Sequence, residues 1–270
     1  MNISLCVNRA AVSLLNMTNE MFRKGIELSR ITRTCALLMM SGLDKASLNP
    51  KILDRLLESQ HRDGGFTGNT DTLWNIKLME YFPELHEQRT AAIRWLMSCN
   101  GDSPGLGRTK RDMHRIPVTG LAMYLLPEIA SAEILDWLAD TWHSEKNSLT
   151  YKAAYTLMAF HRCGYSPSSK TLIPDTVEWL ISQQQESGGF APWKNHPVGA
   201  NVYFTAVAAL GLMTAGKTSA VPVRRACEYL CRTQLSSGIW PYHEIEEGAA
   251  WGMFALSEGE EFLAHCSDLP

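Results

Sequence analysis

Three stretches of this chain share one pattern, and that internal repetition constrains the fold more than any single motif. A helix-like run carries an apolar pair, then a Gln, then a Gly-bearing turn that ends on a large apolar residue. The copies are Leu56-Leu57 leading to Gln60-His61-Arg62-Asp63-Gly64-Gly65-Phe66, Trp179-Leu180 leading to Gln183-Gln184-Gln185-Glu186-Ser187-Gly188-Gly189-Phe190, and Tyr229-Leu230 leading to Gln234-Leu235-Ser236-Ser237-Gly238-Ile239-Trp240. Two weaker copies, Trp95-Leu96 with Gly105-Leu106-Gly107 and Trp137-Leu138 with Ser148-Leu149, complete the series. The pairs begin at 56, 95, 137, 179 and 229, spaced 39, 42, 42 and 50 residues apart. Each copy continues into a second apolar segment: Leu73 to Phe82, Val118 to Leu126, Tyr151 to Phe160, Tyr203 to Met213 and Ala249 to Leu256. The unit is therefore helix, turn, helix, and a single unit cannot bury its apolar face without neighbours. Phe22 to Gly42 reads as one more helix, giving about six units in all. No sustained alternation of apolar and polar residues signals a strand.

Such hairpins can close into a ring or extend as an open solenoid. The second helices favour the ring. They are rich in small residues (Ala153, Ala154, Ala206, Ala208, Ala209, Gly211, Ala249, Ala250, Gly252), which lets helices crowd at a narrow inner circumference. The first helices carry Arg55, Arg94, Asp136, Glu178, Arg224 and Glu228, as a half-wet outer layer should. The expected fold class is all-α: an α/α toroid with inner and outer helix rings. Residues 1–20 are expected as an N-terminal arm and 21–270 as a single toroid domain.

The Gln and aromatic arrangement resembles the prenyltransferase/squalene oxidase repeat of terpenoid cyclases and protein prenyltransferase β-subunits, a family of α/α toroids. The resemblance runs over about residues 45–258, is most specific at 60–66 and 185–190, and is closest to the class II terpene cyclases. In those enzymes the middle Asp of an Asp-x-Asp-Asp sequence protonates an alkene and starts carbocation cyclisation. Asn69-Thr70-Asp71-Thr72 looks like a degenerate form of that sequence, with Asp71 at the acid position. The resemblance thus implies a terpene cyclase, an intramolecular lyase or isomerase of isoprenoid biosynthesis, with Asp71 as proton donor. A carboxyl that protonates an alkene must stay neutral until used, so burial and hydrogen-bond partners must support its acid form. Asn69 and Thr72 are candidates for that support.

Aligning the second helices brings Asp71, Arg115, Thr150, Val202 and Glu246 to similar positions at the mouth of a ring, followed by Thr72, Ile116, Tyr151, Tyr203 and Glu247. Helix starts also favour Asp, Glu and Thr for capping alone. Glu246, in His243-Glu244-Ile245-Glu246-Glu247, is the candidate final base, and a charged loop is the plainer alternative. A cation needs a dry, aromatic-lined cavity. Trp74, Tyr151, Tyr155, Tyr203, Phe204, Trp251 and Phe254 are the expected lining, although ring packing accounts for each of them as well.

The segment Gly107-Arg108-Thr109-Lys110-Arg111-Asp112-Met113-His114-Arg115 is the densest basic cluster in the chain. Arg108, Lys110, Arg111 and Arg115 ahead of a helix make a candidate diphosphate site, against a solvated basic loop as the alternative. A diphosphate substrate would bring Mg2+ with it; no other cofactor or metal is called for. Zinc-dependent protein prenylation is disfavoured, because no Asp-x-Cys stands where prenyltransferases place their ligands.

The remaining bounds come from composition. A net charge of −3 provides no field for nucleic acid, and seven scattered Cys suit reduced thiols in a cytoplasmic protein. No apolar run reaches the ~18 residues of a membrane span, which leaves peripheral membrane contact open. Class II cyclases commonly place the site between two helical domains. A chain with one toroid must use its own hole, form a homodimer or recruit a partner domain. The functions carried forward are a cyclase acting on a linear isoprenoid, with a prenyl diphosphate among the substrates, in the apolar central cavity; a non-catalytic lipid- or peptide-binding or accessory toroid; and a zinc-dependent peptide-modifying enzyme.

Overall fold

The structure, a computed structural model, describes residues 2–99 and 104–267. Residues 100–103, in the turn of the second repeat, and the ends of the expected domain boundaries (1 and 268–270) lie outside the described residues. Twelve α-helices and no strand occur among the described residues. They are α1 (Ile3–Arg23), α2 (Leu28–Met40), α3 (Pro50–Ser59), α4 (Asn69–Met79), α5 (His86–Met97), α6 (Ile116–Leu125), α7 (Ala132–Glu145), α8 (Thr150–Arg162), α9 (Leu172–Ser182), α10 (Val202–Met213), α11 (Ala220–Thr233) and α12 (Ile245–Ser267).

The even-numbered helices are the inner ring. Each packs on the next from α2 through α12, and α12 packs back on α2, which closes the circle. Their sequences explain the position. In α10 nearly every side chain is buried, as expected of a helix apolar on all sides. Small residues set the spacing: a Cβ on Gly211 would lie 2.7 Å from the Cα of Ala154, so α8 and α10 touch backbone to backbone. The odd-numbered helices form the outer ring and each buries a single stripe. In α1 that stripe is Ile3, Cys6, Ala10, Leu14, Thr18 and Met21.

Where an N-terminal arm was expected, the structure has a regular helix of 21 residues. Phe22, read as the start of the next helix, is the last turn of α1, and α2 begins at Leu28. Helix α1 packs on α12 and α2 and touches α11, which is the place of a sixth outer helix.

The repeat signature is a clasp between neighbouring outer helices. The Gln60 side-chain amide donates to the Gly64 carbonyl (2.8 Å) and to the Gln88 carbonyl on α5 (2.9 Å). Gln184 does the same to Gly188 and to Pro222 on α11, both at 2.8 Å. Gln234 bonds Gly238 at 3.0 Å and Cys6 on α1 at 2.8 Å. In the second clasp the acting residue is Gln184; its neighbour Gln185 reaches only the exposed Lys194 carbonyl. The glycines at 64, 188 and 238 have φ of +95°, +85° and +85°, and a Cβ on any of them would meet a carbonyl of the next outer helix at 2.5–2.6 Å. Only glycine satisfies both conditions. The turn then feeds the inner helix: the amides of Phe66, Leu106 and Phe190 donate to the Oγ1 of Thr72, Thr119 and Thr205. Leu106 keeps this bond although its repeat is degenerate in sequence.

Candidate active site

The outer-to-inner turns all open at one end of the ring, so the first turns of the inner helices form its mouth. The third residues of α4, α6, α8, α10 and α12 are Asp71, Val118, Lys152, Phe204 and Glu247. The alignment made from sequence, which set Asp71 beside Arg115, Thr150, Val202 and Glu246, is therefore shifted; the shared threonines at 72, 119 and 205 fix the true register.

A cavity of about 510 Å3 lies at this mouth, within the ordinary range for small-molecule sites. Its walls include Val118, Lys152, Phe204 and Glu247, together with Arg108, His114, Arg115, Tyr151, Tyr203 and Tyr242. One turn deeper the ring is filled. Trp251 of α12 meets Trp74 of α4 edge-on at 5.8 Å, Tyr155 of α8 at 6.1 Å and Tyr203 of α10 at 6.3 Å between centroids. Helices α4 and α8 are not neighbours of α12 in the ring, so these rings meet across its axis. The open central channel anticipated from sequence is thus a mouth cavity over an aromatic floor.

Three polar side chains, Arg33, Glu244 and Glu247, meet beside it, with Glu247 on its wall. Arg33 of α2 donates from Nη2 to Glu244 Oε2 at 2.8 Å and pairs through Nη1 with Glu247 Oε1 at 3.0 Å. Burial pushes the Glu247 carboxyl up to about 7, and Glu244 and Glu246 add to the rise against the opposing pull of Arg33. Glu244 moves the other way: burial raises it, but the Arg33 bond and charge hold it below the usual carboxylate range. Asp71, half-buried in the first turn of α4, is raised by burial and by Glu27, and lowered by Arg33. Arg33 therefore acts on both Asp71 and Glu247. The guanidinium is bonded to Glu244 and Glu247 and reaches Asp71 only through its charge, and Asp71 is not among the residues of the cavity wall.

The other residues singled out from sequence fall into three groups. Tyr151 and Tyr203 line the cavity; Tyr151 packs on Phe204, and Tyr203 lies nearly parallel to Tyr242 at 5.6 Å. Arg108 and Arg115 also line it, but Arg115 is engaged by Asp112 through two bonds of 3.0 and 3.1 Å, which hold the Asp112 carboxyl down to about 2. Lys110 and Arg111 are exposed on the same turn and are not part of the cavity wall.

The third group is buried structure. Asn69 donates to the Gly107 carbonyl at 3.0 Å, and its own amide bonds Arg108 O, tying α4 to the basic turn. Thr72 bonds the Gly68 carbonyl. Trp74 and Trp251 belong to the aromatic floor, and Tyr155 joins it with its hydroxyl 3.0 Å from that of Tyr203. Glu246 is buried in an ion pair of 2.6 Å with Arg30 and turns away from the cavity, which its neighbour Glu247 faces instead. Sequence reasoning missed Arg33 because α2 was read for its apolar face alone. The signal was present: Arg30 and Arg33, three apart on an inner helix. Among the described residues no group of three or more His, Cys, Asp or Glu side chains is arranged to hold a metal, and no helix is long and apolar enough to cross a membrane.

A closed ring of six helical hairpins with an aromatic interior is the architecture of the terpenoid-cyclase toroids. Residues 141–257 match the family model of the squalene-hopene cyclase C-terminal domain. Over 105 residues the chain is 29% identical to lanosterol synthase of Candida albicans, a match that covers 36% of this chain and 14% of that protein. Over 78 residues it is 31% identical to lanosterol synthase of Pneumocystis carinii, covering 26% and 11%. The chain thus spans a small part of the curated relatives it matches. Among solved structures it is similar to the type II terpene cyclase MstE from Scytonema, with a TM-score of 0.76, 15% identity, and coverage of 97% of this chain and 98% of that one. MstE has also been solved with geranylgeranyl dihydroxybenzoate, its substrate, and with merosterolic acid A, its product. The resemblance read from the repeats therefore holds at two levels. The carboxy-terminal part carries a squalene-hopene cyclase signature, and nearly the whole chain has the fold of a type II terpene cyclase.

Proposed function

We propose that this protein is a class II-type terpene cyclase that starts its reaction by protonating a linear isoprenoid at the mouth of the ring. The observation that supports the reading is an aromatic-walled cavity of the right size at the mouth of the ring, with Asp71, whose acid form burial favours, in the first turn of an inner helix at that end. Asp71 is the proton donor in this reading. Its Oδ–H bond breaks as a C–H bond forms on the terminal alkene or epoxide, and Arg33 steadies the carboxylate left behind. Tyr203, Tyr242, Tyr151 and Phe204 offer ring faces to the migrating cation. Loss of a proton or capture of water ends the sequence.

Arg108, exposed at the rim, suits an anionic head group. A prenylated hydroxybenzoate and a prenyl diphosphate are the two head-group chemistries to compare, and Mg2+ accompanies only the second. Purified protein would be incubated with farnesyl and geranylgeranyl diphosphates, a geranylgeranyl hydroxybenzoate and uncharged polyprenols. Cyclic product is expected from at least one of them. Asp71→Asn should lower turnover by about 10²–10⁴-fold, the usual contribution of a general acid; equal turnover would remove Asp71 from the role.

One observation favours a second reading. The aromatic floor fills the ring where a long substrate would lie, which suits a lipid- or peptide-binding module without chemistry. Binding of the same isoprenoids with no product from any of them would establish it.

A further inference from the structure

Glu247 is the only carboxyl on the cavity wall other than Glu145 among the residues that form it, and Glu145 is engaged by Lys152. Glu247 shares the cavity wall with Tyr203 and Tyr242, whose rings stack on each other. Behind it Arg33 carries one positive charge and Glu244 one negative charge. The three groups therefore total zero when Glu247 is protonated and −1 when it is ionised. Other groups face Glu247 too: Glu246 on its own helix acts on it electrostatically, and Tyr155 of α8 and Tyr242 feel its charge. Burial keeps the tyrosines protonated, and Arg30 neutralises Glu246.

We propose that Glu247, with the aromatic side chains of Tyr203 and Tyr242 on the same cavity wall, forms a binding site for an organic cation, and that in the cyclase reading, on which this part rests, it accepts the terminating proton. In that step a C–H bond next to the cationic carbon breaks, its electron pair becomes the new C=C bond, and the proton forms an O–H bond on Glu247. The proton then leaves to solvent at the mouth, where Glu247 is 17% exposed. Asp71 is reprotonated from the same solvent, so the overall change is an isomerisation with nothing oxidised or reduced. Glu247 suits this role by position: it stands on the cavity wall and keeps an opening to solvent at the mouth. Glu246, the base expected from sequence, is turned to Arg30 and has no path to the cavity.

The probe is a farnesyl-length N,N-dimethylamine, protonated throughout pH 6–8.5, measured calorimetrically against an uncharged hydrocarbon of the same shape. Wild-type affinity for the ammonium should rise about tenfold between pH 6 and 8.5 as Glu247 ionises, the worth of about 1.4 kcal/mol, while the hydrocarbon shows no such rise. Glu247→Gln, which mimics the protonated carboxyl and so preserves the packing, should lose the rise. Glu244→Gln should retain it with a lower midpoint, because Glu244 raises Glu247. An ammonium affinity that rises equally in wild type and Glu247→Gln overturns the proposal, as does a midpoint unmoved in Glu244→Gln. The cyclase reading fails separately: a wild type with this binding pattern that cyclises none of the isoprenoids keeps the cation site and loses the reaction.

Discussion

At the scale of single residues, burial and charge separate groups that look alike in sequence. Glu244, Glu246 and Glu247 lie within four positions, yet the first is held below the usual carboxylate range by Arg33, the second is locked to Arg30, and the third is pushed by burial up to about 7. Folding therefore depends on pH through Glu247. Its folded pKa, about 7, lies above the ordinary 4.5, so its contribution is complete below about pH 4.5 and is lost as pH rises to about 7. Denaturant unfolding of wild type and Glu247→Gln between pH 4.5 and 7.5 should show wild-type stability falling relative to the variant across that window and running parallel above it. Glu244 has the opposite sign, and its contribution disappears only below about pH 4.5, outside the window. Thiol reactivity offers a second check. Cys35 and Cys227 are buried, and that burial pushes both thiols up to about 12. Ellman's reagent at pH 8 should leave both unmodified in the native protein and reach them on unfolding.

At the scale of elements, the Gln clasp joins each signature turn to the next outer helix. Gln184 satisfies two carbonyls inside the protein, whereas Gln185 makes one exposed bond. Gln184→Ala is expected to cost about 2–4 kcal/mol, since two buried acceptors lose their donor, and Gln185→Ala less than about 1 kcal/mol. Equal effects in chemical denaturation would show that the clasp carries no special weight. The motif was legible in sequence as a repeat, but the run Gln183-Gln184-Gln185 left the acting residue undetermined. Counting back four positions from the left-handed glycine identifies it, and that count requires knowing which glycine has positive φ. The degenerate repeat at 105–107 was legible for the same reason as the others, because Gly105 still lies under a Trp137 ring with no room for a Cβ.

At the scale of the whole molecule, ring closure is a property of the two ends. Gln234 and Gly238, from the last repeat, dock on Cys6 and Arg9 of α1, and Arg9 returns a bond of 2.7 Å to Gln234. Deleting residues 1–23 should therefore uncover the α12 face and leave the last clasp without a partner. The expected result is loss of the cooperative thermal transition with aggregation, where removal of a dispensable arm would leave the transition intact. The floor of the ring is open to test as well. Trp251→Ala should cost about 3–5 kcal/mol as a large-to-small core change and deepen the mouth cavity, so that longer isoprenoids bind relative to wild type.

The amino-acid sequence by itself determined the helical hairpin, its repetition and the preference for small residues on the inner helices. These depend on periodicity and local turn chemistry, which act over a few residues. It also marked Asp71 and the carboxy-terminal glutamates as chemistry worth locating. Only the tertiary structure decided that α1 completes the outer ring, that aromatic side chains fill the axis, and that Glu247 and not Glu246 faces the cavity beside Arg33. Those outcomes turn on the rotation of each inner helix about its axis. A shift of one residue rotates a side chain by about 100°, and closure against helices more than 200 positions away in the chain, as between Arg33 and Glu247, selects which rotation survives.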